Sequence, residues 1–141
     1  MLGDIIKHQQ QIKEIFKKME FLRDNFSPLD AFYEELYDLS NEMRKELEYH
    51  FNLQIHGITN EKAKKYINEN RLVREMLFRM LDFIQQKAHE KSMDAFLKFD
   101  DFEEILRAYL KKEEGLFIQQ LRGVLNEKEM KEMEKNIKKL I

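Results

Sequence analysis

Apolar residues recur at steps of three and four along almost the whole chain, a period that commits it to packed helices. Four such rows can be drawn. The first runs Leu2 or Ile5, His8, Ile12, Ile15, Met19, Leu22, Phe26, and the second Leu29, Phe32, Leu36, Leu39, Met43, Leu47, His50, Gln54. The third runs Ala63, Tyr66, Asn70, Val73, Leu77, Met80, Ile84, and the fourth Phe99, Phe102, Leu106, Tyr109, Glu113, Leu116, Gln120. Each row is greasy except for one polar group or one pair. A carboxylate or imidazole on an inward row is costly unless it is paired, hydrogen-bonded or bound to a metal, so these interruptions are the candidates for a site.

Their heights agree. A helix rises about 1.5 Å per residue, so groups equally far from a turn lie level in an antiparallel pair. His8 stands 19 residues before Ser27 and His50 stands 22 after Pro28. From the turn near Ser92, Asn70 lies 22 residues back and Tyr109 17 on. The reading is an all-α, antiparallel up-down-up-down four-helix bundle. One polar layer would hold His8, His50, Gln54, Asn70, Tyr109 and a Glu.

Helix boundaries follow from local chemistry. Helix one is expected over 4–24. Ser27, Pro28 and Asp30 read as the capping box of helix two, which would run to His56 with Gly57 as a left-handed cap. Thr59 or Asn60 caps helix three, expected to continue to His89. Helix four starts between Asp94 and Asp101 and reaches Val124. Asn126 with Glu129 opens a short fifth helix laid on the bundle by Met130, Met133, Ile137 and Leu140. His56 and His89 sit near helix ends and read as structural.

Composition narrows the function. The 141 residues form one expected domain over 1–141, with 43% hydrophobic and 37% charged residues and a net charge of −2. That balance gives no basic excess for nucleic acid or an anionic membrane. Cysteine is absent, which removes disulfides, thiolate nucleophiles and sulfur-ligated metals and fits a cytoplasmic protein. No apolar run approaches the ~20 residues of a membrane span, and the first residues lack the apolar block of a signal peptide. The four glycines are isolated, so there is no phosphate loop, and no serine has a base at useful spacing. An enzyme is not expected. Glu46 and His50 lie four apart and leave a carboxylate–His pair open; the Glu-x-x-His pattern of ferritin-like di-iron bundles is absent.

Asn70 to Leu77 (NRLVREML), Tyr109 to Leu121 (YLKKEEGLFIQQL) and the following Val124 to Glu129 resemble the third and fourth helices of haemerythrin-like (HHE) proteins. With the early His of helix one and the late His of helix two, the resemblance spans nearly the whole chain. It implies an antiparallel four-helix bundle around a non-haem di-iron site that binds or senses dioxygen. Carried over, the helix-one ligand is His8 and the helix-two His-x-x-x-Glu begins at His50. The helix-four carboxylate, five residues after that helix's His, falls on Glu114. The remaining positions depart: Gln54 replaces a carboxylate, and Asn70 and Tyr109 replace histidines. Amides are weak ligands and Arg74, four residues after Asn70, would repel a cation. His8, His50 and Glu114 remain as a 2-His-1-carboxylate set for a single iron, which a Tyr109 phenolate would complement.

Two functions are therefore carried forward. The first is a metal-binding or sensory module with an altered non-haem iron site, its partners a metal ion and a small gaseous ligand. The second is a metal-free helical interaction or structural protein, in which the polar groups close a hydrogen-bond network and Arg74 pairs with Glu113 or Glu114.

Overall fold

The computed structural model describes residues 3–141, with side chains from Lys7 onward. Leu2 and the Ile5 side chain, the alternative first positions of the helix-one row, lie outside the described residues. Helices account for nearly all of the described chain, and it contains no strand. They are α1 (Gly3–Asp24), α2 (Asp30–Gly57), α3 (Glu61–Glu69), α4 (Arg71–His89), α5 (Asp94–Lys112), α6 (Ile118–Val124) and α7 (Glu127–Leu140). Helix α2 is the centre of the packing and touches α1, α4 and α7; α5 lies against α4. No described helix is long and apolar enough to cross a membrane.

The rows bury as their period requires. Ile12, Met19, Leu36, Met43, Leu47, Leu77, Ile84, Phe99, Phe102 and Leu106 are all sealed in one core. A second, smaller core joins Ile58, Ala63 and Ile67 to Phe117, Leu121, Met130, Met133 and Ile137. The rows also have limits: Leu29 and Leu140 are exposed.

Four local expectations are corrected. Helix α2 begins at Asp30 with Leu29 in the cap position and no side-chain cap, so the Ser27 capping box does not form. Phe26 is drawn against Phe96, ring centroids 4.5 Å apart, and against Phe32 and Tyr33; this aromatic cluster sets the turn. Gly57 ends α2 without a positive φ. Its missing side chain serves packing, because a Cβ there would fall 2.5 Å from Ile137 Cγ1 of α7.

Helix three is two helices, α3 and α4, parted at Asn70 (φ −94°, ψ 1°). The Asn70 N–H tightens onto the Ile67 carbonyl at 3.3 Å and its side-chain amide donates to the Tyr66 carbonyl at 3.3 Å. Asparagine competes with its own helix in this way.

Helix four is interrupted by a π-helical turn over Glu113–Phe117 that joins α5 to α6. The wider turn advances the inward row by one residue. Phe117 and Leu121 are therefore buried where Leu116 and Gln120 were expected, and Leu116 is exposed.

The turn after α4 is closed by Lys91 at φ 58°. Its N–H bonds the Ala88 carbonyl while Ser92 N–H reaches the Lys87 carbonyl, the paired bonds of a left-handed helix stop.

The start of helix α7 is clasped by one carboxylate. Glu129 completes the capping box with Asn126 and also accepts from Asn60 Nδ2 at 2.6 Å and Lys62 Nζ at 3.0 Å. The Asn126 backbone, then Asn60 and Lys62, hold its carboxyl at about 2. This contribution is complete above the ordinary 4.5 and is lost as pH falls through about 2. Glu129→Ala should speed hydrogen exchange at the Met130 to Met133 amides while those of Leu36 to Leu47 keep their protection. Equal acceleration in both segments would show that Glu129 does not act locally.

Candidate functional site

Helix α1 supplies His8 and Gln9, α2 supplies Glu46, His50 and Gln54, α4 supplies Arg74, and the end of α5 with the π turn supplies Tyr109 and Glu113. His8, Gln9, His50, Gln54, Arg74, Tyr109 and Glu113 are all buried, and His50 has no exposed surface. Spacing explains much of this. His50 and Gln54 are four apart on one face of α2, and Tyr109 and Glu113 are four apart on the fourth row.

The contacts form a chain. Glu46 Oε2 lies 2.6 Å from His8 Nε2, close but without hydrogen-bond alignment. His8 Nδ1 faces His50 Nδ1 at 3.4 Å, the two rings nearly parallel with 15° between their planes. On its other side His50 Nε2 donates to Glu113 Oε1 at 2.6 Å. Gln9 Nε2 also donates to Oε1, at 3.3 Å, and Gln54 Nε2 donates to Oε2 at 2.7 Å. The Gln54 carbonyl oxygen in turn accepts from Arg74 Nη2 at 2.6 Å. The Arg74 guanidinium lies over the Phe51 ring, 5.0 Å from its centroid, so its charge is also eased by an aromatic face.

The two facing Nδ1 atoms can share only one hydrogen bond, so one imidazole donates there and the other accepts. Burial, and then the neighbouring His50, push the His8 pKa below 6.5, against the opposing charges of Glu46 and Glu113. Burial alone would raise the Glu113 carboxyl. The His50 hydrogen bond and charge and the Gln54 hydrogen bond more than offset it and leave it below 4.5.

The positions named from sequence separate into two groups. His8, His50, Gln54 and Tyr109 converge on one layer. Asn70 is spent on the α3–α4 junction, where its amide meets the Tyr66 carbonyl. Glu114 points outward and pairs with Lys13. The carboxylate that enters the layer is Glu113, the residue that periodicity had placed on the inward row. Glu46 turns to His8 rather than to His50.

Tyr109 is buried beside Glu113 and Arg74 with no hydrogen-bond partner on its hydroxyl. Burial, then the Glu113 charge, raise its pKa far above the ordinary 10, which disfavours a phenolate ligand.

Gln9 was missed from sequence. Its signal is a second α1 row, Gln9, Phe16 and Arg23 at steps of seven, that faces α5. Arg74 was expected to repel a cation or to pair with Glu113 or Glu114, and its guanidinium bonds Gln54 rather than either carboxylate. It is a member of the network.

These donors do not fit an iron pair. Among the described residues Glu113 is the only carboxylate buried in the layer, amides stand at the expected ligand positions Gln54 and Asn70, and the Arg74 guanidinium lies beside Gln54. A single ion held by His8, His50 and a carboxylate fares no better. His50 presents one nitrogen to His8 and the opposite one to Glu113, so the three donors do not aim at a common point. Among the described residues no group of three or more His, Asp or Glu is placed to hold a metal ion. No family model, no curated protein and no solved structure matches the chain.

Proposed function

We propose that the chain is a haemerythrin-like up-down-up-down bundle that works without a metal, as a helical interaction or structural module. Its four rods would be α1, α2, α3 with α4, and α5 with α6, and α7 packs across them. The polar layer takes the place of a metal centre by supplying its own counter-charges. The observation that carries this reading is the state of Glu113, whose two oxygens are taken up by His50, Gln9 and Gln54 while Arg74 binds the far side of Gln54. A buried network whose carboxylate is bonded in this way favours one register of the helices over its neighbours.

A metal-binding or sensory module is the second reading, and one distance favours it. Two imidazole nitrogens 3.4 Å apart suit a shared cation with bonds of about 2.0–2.1 Å. The missing third donor counts against it.

Nitrogen NMR of the imidazoles separates the two. The metal-free reading expects His50 protonated at Nε2 and hydrogen-bonded, with its signals unchanged when ferrous iron is added anaerobically. A His50 whose Nδ1 signal broadens stoichiometrically with iron, together with that of His8, would overturn it.

A further inference from the structure

The cleft between α1 and α5 has a built arrangement of charge. Two ion pairs cross it. Lys13 of α1 meets Glu114 just beyond α5, and Glu20 of α1 meets Arg107 of α5, Nη2 to Oε2, at 2.7 Å. Numbers rise along one side as they fall along the other, so the two sides run in opposite directions. Lys17 and Lys111 lie about midway between these clasps on the two sides. Both line the same cavity of about 260 Å³, and neither makes an ion pair among the described residues. Its floor is apolar, formed by the buried side chains of Phe16 and Leu110. The clasps neutralise their own cations and leave two ammonium groups over a greasy floor, an arrangement that suits one anion with an apolar tail.

We infer that this cleft binds a short single-chain carboxylate, its head between Lys17 and Lys111 and its chain on Phe16 and Leu110. The two ammonium groups supply charge-assisted hydrogen bonds to the head. The chain removes apolar floor from water, which is worth about 0.8 kcal/mol for each methylene fully buried and makes affinity rise with chain length. The cavity is below the roughly 300–1,000 Å³ of drug-sized sites, which limits the ligand to one chain and excludes a two-chain lipid.

The test is calorimetry on the full chain with decanoate below its micelle concentration. Acetate serves as the head-only probe and decyltrimethylammonium as the chain-only probe of opposite charge. Decanoate should bind saturably at one per chain and at least about tenfold tighter than either control. The double substitution Lys17→Gln, Lys111→Gln should weaken decanoate at least about tenfold with an unchanged helical signal. Lys111→Glu alone should abolish binding, because it sets a carboxylate against the anionic head. Equal binding of decanoate and decyltrimethylammonium, unsaturable binding, or a double variant that binds decanoate like the native chain would each overturn the proposal.

Discussion

Glu113→Ala should remove about 3–5 kcal/mol of folding stability, the scale for taking one partner from a buried charged network. The side chain is only 4% exposed, and its loss strands the donors of His50, Gln9 and Gln54 in the core. It also leaves the Arg74 guanidinium without a buried counter-charge. Glu114→Ala, one residue away, should cost no more than about 1 kcal/mol because its pair with Lys13 is partly solvated. The difference should depend on pH. Glu113 titrates below 4.5, so its ionised form contributes fully above that value and is withdrawn as pH falls through the lowered one. His8, held below 6.5, likewise stabilises the fold above that value and ceases to as pH falls through its own lowered value. The native chain should therefore weaken on acidification from about 6.5, and the gap between it and Glu113→Ala should narrow in acid. Urea unfolding near neutrality and at about pH 4 measures both. A loss for Glu113→Ala no larger than for Glu114→Ala would remove the network from the account.

The second large effect belongs to the apolar rows. Leu47 and Leu77 have no exposed surface and lie within a turn of His50 and Arg74 on their own helices. Truncation to alanine at either should cost roughly 2–5 kcal/mol, the transfer of the lost atoms plus the cavity they leave. His56→Ala, at the exposed end of α2, should cost far less. Chemical denaturation of the three variants compares them directly. Similar losses at all three positions would mean that the rows do not define the core.

The inward rows and the short α7 were legible because a period of 3.6 and a capping box are local signals. The two breaks were not. An Asn in mid-row is compatible with a helix that runs through it, and the break shows only in the fold, where the Asn70 amide bonds the Tyr66 carbonyl and its N–H turns to Ile67. The π turn adds one residue to a register that sequence periodicity counts as regular, which is why Leu116 was placed inward and Phe117 was not. The layer was found by the same periodicity, including Glu113. The family resemblance instead pointed one residue on, to Glu114, and to Asn70, and both serve elsewhere. Gln9, and the bond from Arg74 to Gln54, were hidden for another reason. Their roles depend on which helix each faces across the core, and that is settled only by packing.

The most direct test of a metal-free layer is the metal content of the protein purified without a metal-binding tag, followed by anaerobic titration with ferrous iron. A metal-free layer should give less than about 0.1 iron per chain as isolated, no tight binding on titration and no change in the melting temperature. One iron per chain, held tightly and lost in His50→Ala while that variant stays folded, would contradict it.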